Sequence, residues 1–155
     1  MNSVNTLPRL SREHPHLGVL FNRGRRLLDE EIVAALAAAG YDDLRVSHEA
    51  VFSYMPERGT RLTELARRAR ITKQSMGELV RELESLGYVE RVRDPTDGRA
   101  FIIRYTDKGK RADVIGVQAV TEFESRWASA VGKKKMAALR STLETMVRRP
   151  DASGG

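Results

Sequence analysis

The sequence predicts a mainly helical fold carrying one small β-hairpin, and three observations predict it. Apolar residues recur at spacings of three and four along most of the 155-residue chain. Two short runs alternate instead, Tyr88 to Arg93 and Ala100 to Tyr105, both rich in β-branched and aromatic residues. Between them lies DPTDGR, with the Pro, Asp and Gly of a hairpin turn.

Residues 1–15 mix Asn, Ser, Pro and Arg without a period and read as an N-terminal arm. From His16 the pattern turns helical, with Leu17, Leu20, Phe21, Leu27, Leu28, Ile32, Leu36 and Ala39 on one stripe until Gly40 stops it. A helix of that length calls for another long helix or a partner chain to cover it. After YDDLRV, Ser47 is the expected N-cap of a short helix that reaches Met55 and ends at Pro56.

The next helix is expected from near Thr60, with Leu62, Leu65, Ala66 and Ala69 facing inward. Arg70 and Ile71 form a turn, and Thr72 caps a second helix that runs to Leu86 and stops at Gly87. The strand pair follows. Asp107 then opens a long helix with Val114, Val117, Val120, Phe123 and Trp127 expected to be buried. Gly132 interrupts it. Met136, Leu139, Leu143 and Met146 mark a last helix, and residues 149–155 read as a flexible tail. Two short helices, a tight turn and a hairpin with a charged tip make a winged helix-turn-helix over residues 44–106. It is flanked by helices at 16–40 and 107–148 suited to form a helical dimer.

The charge distribution agrees with that order. Residues 58–111 hold 14 Lys and Arg against 8 Asp and Glu, while the rest of the chain holds 13 of each sign. The whole net charge of +6 therefore falls in one structural unit, the footprint of a surface that meets phosphate. The chain has no cysteine, which excludes disulfides and thiolate metal sites. Its start lacks the apolar stretch of a signal peptide, and its longest apolar run, Ile32 to Ala39, is far too short for a membrane span. A cytoplasmic protein without membrane contact is expected.

On a helical wheel Met76, Leu79, Val80, Leu83 and Leu86 share one side, which must face the core. The other carries Gln74, Glu78, Arg81 and Ser85, flanked by Gly77. A groove-bound helix reads with its N-terminal turns, so Thr72, Lys73, Gln74, Ser75, Glu78 and Arg81 are the candidate base and backbone contacts. Gln suits adenine, Arg or Lys suits guanine, and Glu suits cytosine. Gly77 is expected to let the backbone approach DNA closely. Alone, such a face is the ordinary solvated side of an amphipathic helix; its place after a tight helix-turn-helix assigns it to a groove.

In the wing, Arg99 follows Asp97-Gly98 at the expected tip, where its guanidinium would enter a narrow minor groove with Asp97 steadying it. Arg91 and Arg93 lie on one side of their strand and suit phosphate contacts.

Other signals point to less. His14, His16 and His48 are a thin ligand set, and no metal site or cofactor is expected. The runs Asp29-Glu30-Glu31 and Asp42-Asp43 have no nucleophile motif beside them, so no enzyme is read. Lys133-Lys134-Lys135 reads as solvated, and Trp127, Phe123 and Phe21 as dimer core. Phe21, His48, Phe52 and Tyr54 are the candidate lining of a ligand pocket.

The stretch from Thr60 to Ala112 resembles the MarR family of bacterial regulators. The resemblance rests on Leu65-Ala66, Leu83 to Gly87, Arg91, Asp94, Asp97, Arg99-Ala100, Thr106 and Gly109, and it departs at Pro95 and Thr96. It implies an obligate homodimer with the first and last two helices of each chain interleaved. It also implies a cleft between dimer region and winged domain, where many relatives bind a small aromatic or anionic effector. The function expected is sequence-specific binding of double-stranded DNA at a pseudo-palindromic operator, acting as a repressor. The alternative is a winged-helix adaptor that contacts protein.

Overall fold

The computed structural model describes residues 15–148; most of the expected N-terminal arm, with His14, and the expected tail at 149–155 lie outside the described residues. The first long helix is α1, Leu17–Ala38, which ends one residue earlier than its apolar stripe. A single 3-10 turn, Val46–His48, runs into the short α2, Glu49–Phe52. Ser47 lies inside that turn, and Arg45 occupies the N-cap position in its place. Then come β1, Thr60–Arg61, α3, Leu62–Ala69, and α4, Lys73–Ser85. The hairpin is β2, Val89–Asp94, with β3, Asp97–Tyr105. Two helices close the chain, α5, Asp107–Val131, and α6, Lys133–Val147.

The sheet has three antiparallel strands in the order β1-β3-β2. The sequence led us to expect only two. The segment Thr60-Arg61, expected to open a helix, instead pairs with Ile103 and Ile102. Two residues carry too little alternation to be recognised as a strand.

The hairpin tip also differs from expectation. Asp94 pairs with Asp97, so Pro95 and Thr96 form the turn, and Asp97, Gly98 and Arg99 belong to β3. The cause is local. The Asp94 carboxylate accepts from the Thr96 amide at 2.8 Å and from its hydroxyl at 2.7 Å. This Asx arrangement, with Pro fixing φ just before it, draws the reversal ahead of the Asp-Gly pair.

One core serves the winged unit. Leu65, Met76, Val80, Leu83, Tyr88, Val89 and Ile103 are almost wholly inaccessible, and Leu36, Leu44 and Ala112 extend this core toward α1 and α5. Each of the large aliphatic side chains among them contributes up to about 1.5–3 kcal/mol on burial. Gly109 seats α5 on the wing. A Cβ there would lie 2.0 Å from the Tyr88 carbonyl oxygen, so only glycine permits the approach.

The long helices meet at Trp127 of α5, whose ring lies 3.6 Å from a Cβ built at Gly24 of α1 and packs against Phe123 of its own helix at 4.8 Å. Val114 and Val117, expected to be buried, are 63% and 59% exposed in the single chain. No residue of α6 is buried. No helix of the described residues is long and apolar enough to cross a membrane.

Candidate nucleic-acid interface

The helix-turn-helix is made tight by Arg70, which ends α3 in the left-handed region at φ 55°. The next turn is fixed by Thr72, whose hydroxyl oxygen accepts from the Ser75 amide at 3.0 Å and donates to the Ser75 hydroxyl at 2.9 Å. These bonds set the first turn of α4. They leave Thr72, Lys73, Gln74, Ser75, Glu78 and Arg81 together on the exposed side. Lys73 and Arg81 have no ion pair among the described residues, while Gln74 reaches Glu78 at 3.4 Å. Gly77 belongs elsewhere. It is buried beside Leu62 of α3, and a Cβ there would stand at an ordinary contact distance of 3.7 Å, so the position faces the neighbouring helix and does not require glycine. The reason is its place beside Met76 on the inner half of the helix.

Upstream, Glu64 gathers two guanidiniums, Arg67 and Arg68, each at 2.8 Å. The hydrogen bond from Arg67, then that from Arg68, pulls its carboxyl down to about 2. These two cations are therefore partly neutralised within α3.

In the wing, Arg99 is exposed and has no ion pair among the described residues. Asp97 does not hold its guanidinium. It accepts from the Arg99 backbone amide at 3.1 Å, and its other oxygen lies 3.4 Å from Arg61. Arg93 donates to the Gly98 carbonyl at 2.7 Å and sits over the Phe101 ring. Arg91, expected at a phosphate, pairs with Glu84 of α4 at 3.0 Å and so ties wing to helix. The residue that sequence reasoning missed is Arg61. It meets the buried Asp94 at 2.6 Å, and only the unrecognised β1 pairing brings it there.

Behind this surface a cleft of about 450 Å³ lies between α1, residues 44–53 and α5. Of the four expected lining residues it contains His48 and Phe52. Phe21 lies a turn before the first lining residue of α1 and is 47% exposed, and Tyr54 beyond α2 is 44% exposed. His48 is buried; its Nδ1 accepts from the Arg45 amide at 3.2 Å. Its Nε2 lies 3.2 Å from a Glu82 oxygen but off the line of a hydrogen bond, so that nitrogen has an electrostatic neighbour and no partner. Arg25 is held by Asp29 at 2.7 Å and Glu49 at 3.1 Å. No group of three His, Cys, Asp or Glu suited to a metal ion occurs among the described residues.

The two regions are joined at Lys108. Its ammonium donates to the Leu86 carbonyl, the C-cap of α4, at 2.8 Å and lies 4.1 Å over the Tyr88 ring. Asp43 accepts from the Tyr88 hydroxyl and lies 3.4 Å from Lys108. Burial pushes Tyr88 well above the usual phenol range, and the Asp43 hydrogen bond adds to it. For Asp43 burial acts upward, yet the bonds from Tyr88 and Lys108 together bring it below its usual value.

Comparison with known proteins agrees with this arrangement. The profile described as MarR family matches residues 52–100. The HTH-type transcriptional regulator BilQ of Clostridioides difficile (strain CD3) is 30% identical over 77 residues, which is 50% of this chain. The match spans about half of that regulator's length, 49%. The transcriptional repressor CouR bound to a 23-mer DNA duplex is 27% identical, with a TM-score of 0.66 over 86% of this chain and 93% of that one. CouR from Rhodococcus jostii RHA1 bound to p-coumaroyl-CoA is 24% identical, with a TM-score of 0.69 over 88% and 95%.

Proposed function

Because the chain belongs to the MarR family of transcriptional regulators, we propose that it binds a pseudo-palindromic DNA operator as a homodimer and represses transcription from it. The observation that carries this reading is that Lys73 and Arg81 of α4 and Arg99 of the wing are all exposed cations without an ion partner among the described residues. In it, residues 44–106 form the DNA-binding unit. Thr72, Lys73, Gln74, Ser75, Glu78 and Arg81 face the major groove, and Arg93, Gly98 and Arg99 face the backbone and minor groove. Arg91 and Asp97 act one step back, holding the wing to α4 and to Arg61. The DNA-bound repressor with the same fold supports the pose.

Residues 16–40 and 107–148 make the dimer. Leu17, Leu20 and Phe21 of α1 and Leu139, Met146 and Val147 of α6 are all exposed in the single chain, an apolar surface that a second copy would cover. Two-fold symmetry then sets the reading helices about 10 base pairs apart. A small ligand in the cleft beside α5 releases the operator, a reading supported by the ligand-bound relative of like fold.

Selection of bound fragments from random DNA, followed by anisotropy titration at several salt concentrations, tests the proposal. The expected result is a palindrome and a steep loss of affinity with salt, as when roughly six to ten phosphates are neutralised. Recovery of no sequence, with affinity flat in salt, overturns it and leaves the protein-adaptor reading.

A further inference from the structure

The cleft is lined largely by aliphatic side chains, Leu28, Ile32, Leu36, Val117 and Val120 among them, with Phe52 at one side. A volume of about 450 Å³ falls in the ordinary range for small-molecule sites. Its polar groups decide what kind of molecule it takes. Both guanidiniums at the cleft are already matched: Arg25 by Asp29 and Glu49, and Arg45 by Glu82 at 3.1 Å. Three carboxylates line it, Asp29, Glu49 and Asp113, against those two cations. His48 keeps Nδ1 on the Arg45 amide and Nε2 3.2 Å from Glu82, so both its ring nitrogens face groups of this chain.

Asp113 is the group left over. It projects from α5 one turn before Gly116 and Val117, and no hydrogen bond or ion pair engages its side chain among the described residues. The nearby Tyr105 does not serve it, because its hydroxyl donates to the Phe52 carbonyl at 3.1 Å. Burial alone raises the Asp113 carboxyl above its usual value, as expected of an acid that lacks a countercharge. A carboxylate ligand entering here would meet an unpaired acid and no free cation. A protonated amine would supply the missing charge.

We propose that this cleft selects a lipophilic aromatic amine, its ring among the aliphatic side chains of α1 and α5 and its ammonium against Asp113. The proposal rests on the regulator reading above only for the consequence of binding, namely release of DNA; the binding itself is measured without DNA. It narrows the effector from any small aromatic or anionic molecule to a cationic one.

The test uses three probes with one ring system, 2-naphthylmethylamine, 2-naphthalenemethanol and 2-naphthoate, titrated calorimetrically into the full-length protein near neutral pH. The amine should bind about tenfold tighter than the alcohol, the worth of one partly desolvated ion pair, and the acid should bind more weakly than either. Asp113→Asn, which keeps shape and removes charge, should erase the amine's advantage while leaving alcohol binding and the circular dichroism spectrum unchanged. Equal binding of amine and acid by the parent protein overturns the proposal without recourse to any variant. So does an undiminished amine preference in Asp113→Asn. Loss of operator binding in the parent would sink the regulator reading, and the calorimetry would still stand or fall alone. If DNA is bound but amine saturation fails to release it, the cleft's specificity holds and its role as the effector site does not.

Discussion

Arg61 and Asp94 are 33 positions apart in the chain and meet with Nη2 2.6 Å and Nε 2.8 Å from one carboxylate oxygen. Arg61 directly precedes α3, and Asp94 ends β2 at the tip of the wing. This pair ties the tip of the wing to the strand that leads into α3. Asp94 is a shared node, since its second oxygen accepts both bonds from Thr96 that make the turn.

The node predicts an acid-side transition in the wing. The Thr96 hydroxyl first, then its amide, then Arg61, holds the Asp94 carboxyl down to about 2, against an ordinary 3.8. A depressed carboxyl contributes its stability fully above the ordinary value and loses it as pH falls through the folded one. The Thr96 amide resonance should therefore titrate with a midpoint near 2, and Asp94→Asn should abolish that step. A midpoint near 3.8 would show that Thr96 and Arg61 do not engage the acid.

A second prediction separates the wing arginines. Arg99→Ala should weaken operator binding by about 1–3 kcal/mol with the fold intact, because nothing in the turn depends on that side chain. Arg91→Ala and Glu84→Ala should each weaken binding modestly, and the double variant no more than the larger single, since both break one link of about 0.2–1 kcal/mol. If Glu84→Ala instead strengthens binding while Arg91→Ala lowers the salt slope by about one, Arg91 leaves Glu84 for a phosphate.

Arg70 adopts φ 55°, a conformation costing roughly 1–2 kcal/mol for a residue with a Cβ. Glycine would relieve that strain but lose roughly 0.5–1 kcal/mol through the freedom of the unfolded chain. The relief outweighs the loss, so Arg70→Gly should raise stability by about 0.5–1 kcal/mol in urea unfolding. Arg70→Val, with a branched Cβ, should lower it. The reverse ranking would mean that the arginine side chain stabilises the turn by contacts other than its backbone.

The dimer prediction rests on α6. Leu139 is 45% exposed in the single chain, and Leu139→Glu should cost the monomer little while placing a charge in the proposed interface. Light scattering should report about twice 17.4 kDa for the parent and a shift toward one chain for the variant. A parent that is monomeric at micromolar concentration and still binds its operator would end this reading.

Most of what the sequence made legible has a period or a cap, although Ser47 is not the cap it resembles. The amphipathic stripe of α4 and the Thr72 cap were readable because helical spacing and capping chemistry are local. The short strand β1 was not, since its pairing with Ile102 and Ile103 is settled by tertiary geometry. The same limit hid the partners of Arg91 and Asp97, which lie on other elements. Gly77 stands at the edge of the wheel's polar face, where the wheel alone does not show that the residue is buried beside Leu62. Phe21 and Tyr54 were aromatic and near the right segments, but the cleft begins one turn later on α1 and closes before Tyr54, just past α2.

Gly109 and Lys108 together have a mechanical consequence. One lets α5 rest directly on the Tyr88 carbonyl, and the other moors the Leu86 carbonyl that ends α4. The C-terminal end of α4 is thus a fulcrum, and the winged unit, into whose core Met76 and Val80 pack the reading end, turns about it as one arm of a lever. Thirteen residues make that arm about 20 Å long. A tilt of about 10° at the fulcrum swings its tip by about 3.5 Å, close to the rise of about 3.4 Å between successive bases. In the proposed dimer, a small rotation of α5 would therefore be geared to about one base-pair step at the DNA, enough to put two symmetric arms out of register with their grooves.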